Sequence, residues 1–137
     1  MHESPGVEGM PQSVKLARVL LWIEFALGVL GLVLVAIAVS QLADDAQLEV
    51  AGITGGIVWV LGYSFALVAL VLASALALKS RKSWVRIAVL VLHGILLVLE
   101  VIGLFSGITL GVVARIAILA GIVVSLSREE ARVWFDR

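Results

Sequence analysis

A carboxylate and a guanidinium, Glu100 and Arg115, stand in the otherwise oily run "LVLEVIGLFSGITLGVVARIA". An unpaired charge in hydrocarbon costs about 3 kcal/mol or more, so such residues normally pair with one another or face a wet interior. If "FSG" is a turn between two helices, the two charges lie at similar distances from it. At about 1.5 Å of rise per residue, both then sit roughly 6–10 Å below the surface and can meet across a helical hairpin. The pair could fix the register of that hairpin, or it could bind a substrate or open with one. Both readings stand on the sequence.

Glu24 raises a similar question. It lies six residues past Arg18 and shares an i, i+4, i+7 face with Gly28 and Gly31. Small residues mark close helix contacts in membranes, so Glu24 is expected to point at a neighbouring helix. His93 lies seven residues past Arg86, which puts it at a comparable depth. A Glu24–His93 contact is therefore expected, either as a satisfied structural contact or as a proton-handling site; failing it, Glu24 could remain protonated in a dry site.

Other chemistry is thinly represented. With no cysteine, the chain has no disulfide, thiol nucleophile or cysteine zinc site. His2 and His93 are its only histidines, too few for a histidine-rich metal site. The pattern contains no phosphate-cradling glycine loop, no catalytic Ser/His/Asp arrangement and no carboxylate pair placed for hydrolysis. "GITGG" lacks the lysine that a phosphate loop requires. Neither a metal nor a cofactor is expected.

The elements that must position these residues are blocks of oil. Hydrophobic residues make up 62% of the chain, and its mean hydropathy is +1.17. Soluble domains carry about 45–50% apolar residues, and a bilayer crossing takes about 20. Four blocks of that kind follow a polar opening, "MHESPGVEGMPQS". The first contains a small-x-small "AIA" but is longer than the roughly 7–15 residues of a signal-peptide core, so it reads as an uncleaved helix.

Direction follows from the basic residues, which cytoplasmic segments retain. Lys15 and Arg18, the connection "KSRKSWVR" and the tail "SREEARVWFDR" hold every basic residue except Arg115. The first loop, with Asp44, Asp45 and Glu49, holds only acids. Both termini are therefore expected in the cytoplasm. Lys79, Arg81, Lys82 and Arg86 are placed to attract anionic headgroups. Since this topology already accounts for them, nucleic acid is not an expected partner.

In the second block, Gly62, Ala66, Ala69, Ala73 and Ala77 form a ladder of small side chains. It reads as a seam against another helix, in the bundle or in a partner, with the bundle preferred. Trp22, Trp84, Trp59 and Tyr63 suit interfacial belts. In the tail, Ser127 and Glu130 have capping-box spacing. Trp134 and Phe135 share a face with Ala131, as expected of an interfacial anchor on the inner surface; a partner-docking peptide is the other option.

"RKSWVRIAVLVL" and "SREEARVWF" together resemble a broad group of small four-helix membrane proteins of actinobacterial type. That resemblance implies residence in a bacterial plasma membrane and no catalytic activity. Small multidrug-resistance transporters also combine four short helices with a glutamate in the first, and Glu24 would correspond to it. "EVIG", a fragment similar to one of theirs, falls in the wrong helix here. The added tail, the long first loop and the strong charge bias also depart from that family, whose inverted dimers need a weak bias.

The sequence thus predicts an all-α, polytopic membrane protein, with four transmembrane helices in an antiparallel bundle and a short interfacial C-terminal helix. Residues 1–14 form a flexible polar leader. The transmembrane domain covers 15–127, with spans near 16–40, 55–78, 84–105 and 109–126, and 128–137 form an amphipathic cytoplasmic tail. The expected function is that of a non-enzymatic accessory or structural component, surrounded by membrane lipids and associating with itself or with other membrane proteins. The alternative is a small proton-coupled transporter using Glu24. Transport requires a water-reachable path to Glu24, whereas a scaffold requires dry packing around it.

Overall fold

The computed structural model describes residues 9–44 and 51–136, so most of the leader and the acidic loop at 45–50 lie outside the described residues. Among the described residues five α-helices follow in order: α1 (Gln12–Asp44), α2 (Ala51–Ala77), α3 (Ser83–Gly103), α4 (Leu110–Ser127) and α5 (Glu129–Phe135). Four stretches, Gln12–Gln41, Gly55–Ser80, Ser83–Ser106 and Leu110–Ser127, are long and apolar enough to cross a membrane. These are the helices of a multi-pass integral membrane protein.

Helix is the form these blocks must take in lipid, because it satisfies every backbone donor and acceptor within the segment. Their serines follow the same rule. Ser74 Oγ donates to the Leu70 carbonyl at 2.8 Å, and Ser127 Oγ donates to that of Val123 at 2.6 Å. Breaks occur where particular residues force them. Between α3 and α4 a 3-10 turn, Leu104–Ser106, runs into Gly107 at φ 153, a conformation that side-chain-bearing residues rarely adopt. Thr109 then caps α4, its Oγ1 accepting the Val112 N–H at 3.2 Å.

Helix α1 is the centre of the arrangement. It packs against α2 on one side and α4 on another, and α3 packs against α4. Helix α2 scarcely meets α3, so the ring of helices is left open on that side. Two glycines permit the close approaches to α1. A Cβ on Gly28 would lie 2.9 Å from Val68 Cγ2, and one on Gly121 would lie 2.8 Å from Leu20 Cδ1.

The core sits at one end. Val14, Ala17 and Leu21 of α1 join Val71 and Ala75 of α2, Leu78 of the 3-10 turn that follows it, Val85 and Val89 of α3, and Ile122 and Leu126 of α4. Ala131, Trp134 and Phe135 of α5 complete it. We call this the basic end, since Lys15, Arg18 and the connection from Lys79 to Arg86 surround it. In the other half no described residue of 22–41, 55–70 or 94–118 is buried.

Several expectations are corrected here. Trp134 and Phe135 do not form an anchor laid on lipid, because their rings are buried in the protein's own core. Ser127 and Glu130 do not form a capping box: Ser127 ends α4, and the Glu130 carboxylate accepts the Ser13 N–H at 3.2 Å. That bond satisfies an unpaired donor in the first turn of α1, so the helix begins at Gln12, inside the expected leader. Helix α2 begins at Ala51, ahead of the expected start of the second span near residue 55, and so takes in the glycines of "GITGG". The ladder Gly62, Ala66, Ala69 and Ala73 faces outward, and only Ala77 is partly covered.

Because α5 contributes the largest fully buried side chain, Phe135→Ala should lower stability by about 3–5 kcal/mol. Thermal unfolding in detergent would show this, and a shift within error would mean that α5 does not hold the core together.

Candidate functional site

Two polar pairs lie within the membrane-length helices. On α3, His93 is fully buried one turn beyond Val89, the limit of the packed half. Its Nδ1 stands 2.9 Å from the Val89 carbonyl oxygen. A carbonyl can only accept, so Nδ1 carries a hydrogen and donates it. Nε2 stands 3.1 Å from Glu24 Oε2 on α1. With Nδ1 protonated, two forms satisfy that contact. Either a protonated Glu24 donates to a neutral imidazole, or an imidazolium donates to a carboxylate. In both forms the pair is neutral overall and shares one movable proton.

Of the three residues expected on one face of α1, Glu24 thus reaches α3 while Gly28 meets Val68 of α2. Gly31 has no atom within reach of an added Cβ.

The second pair joins α3 and α4. Arg115 Nη1 lies 3.0 Å from Glu100 Oε1. The partners are unequally covered, for the Glu100 side chain is 17% exposed and that of Arg115 59%. Arg115 therefore lies on the outer surface with its long stem free to carry the charged head toward water. Such a contact between membrane helices contributes on the order of 1 kcal/mol or less. It ties α3 to α4.

The four cations assigned to headgroups are in different circumstances. Arg86 Nε donates to the Leu126 carbonyl at 2.8 Å, tying the start of α3 to the end of α4. A cation satisfying a last-turn acceptor is favourable at that pole of a helix. Lys82 precedes α3 and is exposed. Arg81 has φ 57, left-handed backbone that is unusual outside glycine, and its guanidinium stacks on Trp134 at 3.8 Å from the ring centre.

Lys79 and Arg81 share a cleft of about 690 Å³ with Lys15, Arg18, Met10, Val19, Trp22 and Trp134. In the sequence Lys15 and Arg18 serve only to orient the chain. Nothing in the local pattern joins them to Trp134, which reaches them only because α5 folds back under α1.

No protein-family model, no curated protein and no solved structure matches the chain.

The pairing of Glu24 with buried His93 makes an asymmetric prediction. Glu24→Gln should stay within about 1 kcal/mol of wild type, since the amide can donate to Nε2 in place of the acid. Glu24→Leu strands that nitrogen and should cost about 1–3 kcal/mol. Equal unfolding temperatures for the two variants would dismiss the contact as a stabilising one.

Proposed function

We propose that the protein is a non-enzymatic accessory or structural component of a bacterial plasma membrane, with four antiparallel crossings and both termini in the cytoplasm. It assembles with itself or with other membrane proteins through α2. One observation carries this reading: the ladder Gly62, Ala66, Ala69 and Ala73 faces away from the chain's own helices. A Cβ placed on Gly62 would meet nothing within 4 Å. Lipid gives no reason for a row of small side chains, whereas a helix from another molecule gains close backbone contact along one. The open side between α2 and α3 leaves room for such a neighbour.

The inward-facing chemistry supports the same reading. Glu24 is bonded to a fully buried histidine beside a packed core, as a scaffold requires. The orientation rests on the segregation of basic residues at one end, and the membrane assignment on the four apolar helices.

A second reading, a small proton-coupled transporter, draws support from one feature. The single proton shared by Glu24 and His93 sits where the packed half gives way to the open half. Proton-driven uptake into proteoliposomes should then vanish in Glu24→Gln, and uptake that persists would remove this reading.

For the preferred reading, Ala66→Leu combined with Ala73→Leu should weaken association about tenfold or more, measured by energy transfer between labelled copies and by recovery of co-purifying membrane proteins. Both positions are exposed, so unfolding of the individual chain should move by no more than about 0.5 kcal/mol. Association that tolerates both leucines would refute α2 as the docking face.

A further inference from the structure

The cleft at the basic end has the composition of an anion site. Four cations line it, Lys15 and Arg18 from the first turns of α1 and Lys79 and Arg81 from the connection after α2. Among the described residues no carboxylate lines it. Among the described residues none of the four lies within 4.0 Å of an acid, whereas Arg115 and Arg132 both do. Four like charges around one space repel one another, and a bound anion relieves that repulsion.

The site is also built rather than merely charged. Arg81 is held in a left-handed backbone conformation, which is unfavourable for a residue with a side chain and persists only where its surroundings enforce it. Here Trp134, only 6% exposed, lies with its ring against the guanidinium and keeps it at the cleft. Buried polar atoms without a partner among the described residues are Ser13 Oγ, Arg18 Nε and Trp134 Nε1. All three belong to this end, and two are on residues that line the cleft.

Its position selects the kind of anion. The cleft lies where two membrane-length stretches terminate, Gln12–Gln41 at its start and Gly55–Ser80 at its end, which is headgroup level. Val19 and Trp22 form its apolar side. Exposed Ile23 and Leu30 continue the Val19 face of α1 at helical spacing, a surface on which an acyl chain can lie. A volume of about 690 Å³ is within the usual range for small-molecule sites.

We infer that this cleft binds the phosphate headgroup of an anionic phospholipid. Lys15, Arg18, Lys79 and Arg81 hold the phosphate, and Val19 and Trp22 receive the glycerol and upper acyl carbons. Arginine offers paired donors to phosphate oxygens, and lysine adds point charges. The site differs from a diffuse basic surface in that Lys82 and Arg86 stand outside it. It rests on membrane residence but on neither reading of α2 or Glu24.

Native mass spectrometry of the full-length chain, released from micelles containing phosphatidylglycerol and phosphatidylcholine, tests the assignment. One phosphatidylglycerol should be retained in preference to phosphatidylcholine. Lys15→Gln with Arg18→Gln should weaken retention roughly twentyfold or more, about fivefold for each cation removed. Lys79→Gln, in an exposed turn, should weaken it about fivefold and serves if the double variant does not fold. Lys82→Gln with Arg128→Gln removes the same charge outside the cleft and should change retention less than about twofold. Equal loss in that control, or no preference between the two lipids, would overturn the site. Displacement by glycerol phosphate or inorganic phosphate at concentrations equal to those of the lipid would overturn the lipid assignment.

Discussion

Burial of α5 against the first turns of α1 is the interaction on which the arrangement depends. Ala131, Trp134 and Phe135 fill a space that the ends of α1 to α4 leave between them, and the fully packed part of the molecule ends within about two turns of that plug. A second bond fixes the same contact, from the Ser13 N–H at the start of α1 to the Glu130 carboxylate. An acidic group at a helix N-terminus is favoured by the dipole as well as by the unpaired N–H groups there. Through this contact the last helix in the chain determines where the first one begins.

The polar residues then fall into an order along the molecule. At the basic end, cations surround a cleft floored by Trp134. At the limit of the packed half, Glu24 and His93 are each other's hydrogen-bond partner. Farther out, where no described residue is fully buried, Glu100 and Arg115 join α3 to α4 at the surface. In a medium without water, each charge needs a partner or a route to the surface, and each of these pairs meets that need in its own way. Paired helices with unfilled space beside them suit a chain whose remaining contacts come from lipid or from another protein.

Particular residues show how far the sequence could be read. Glu24 with His93, and Glu100 with Arg115, were accessible because depth in a helix is nearly linear in residue number and the rise per residue is fixed. The small-residue ladder of α2 was visible too, but its direction was not, since every face of that helix is apolar and gives no inward signal. The burial of Trp134 and Phe135 was not legible, because in sequence an aromatic face looks the same whether it meets a bilayer or a protein core. Lys15 and Arg18 were read as topology markers, and their meeting with Arg81 and Trp134 spans nearly the whole chain.

The four oil-rich helices, the break between α3 and α4, the concentration of basic charge at one end and the two cross-helix pairs were all legible in the sequence alone. Those features follow from local chemistry: hydropathy, glycine and threonine at a turn, and equal depth in adjacent helices. Only tertiary structure decided which helices touch, that α2 turns its small residues outward, and that α5 folds inward to make a cleft from distant cations. The reason is that lipid-compatible helices are apolar all round, so composition leaves their rotation open and side-chain packing has to choose it.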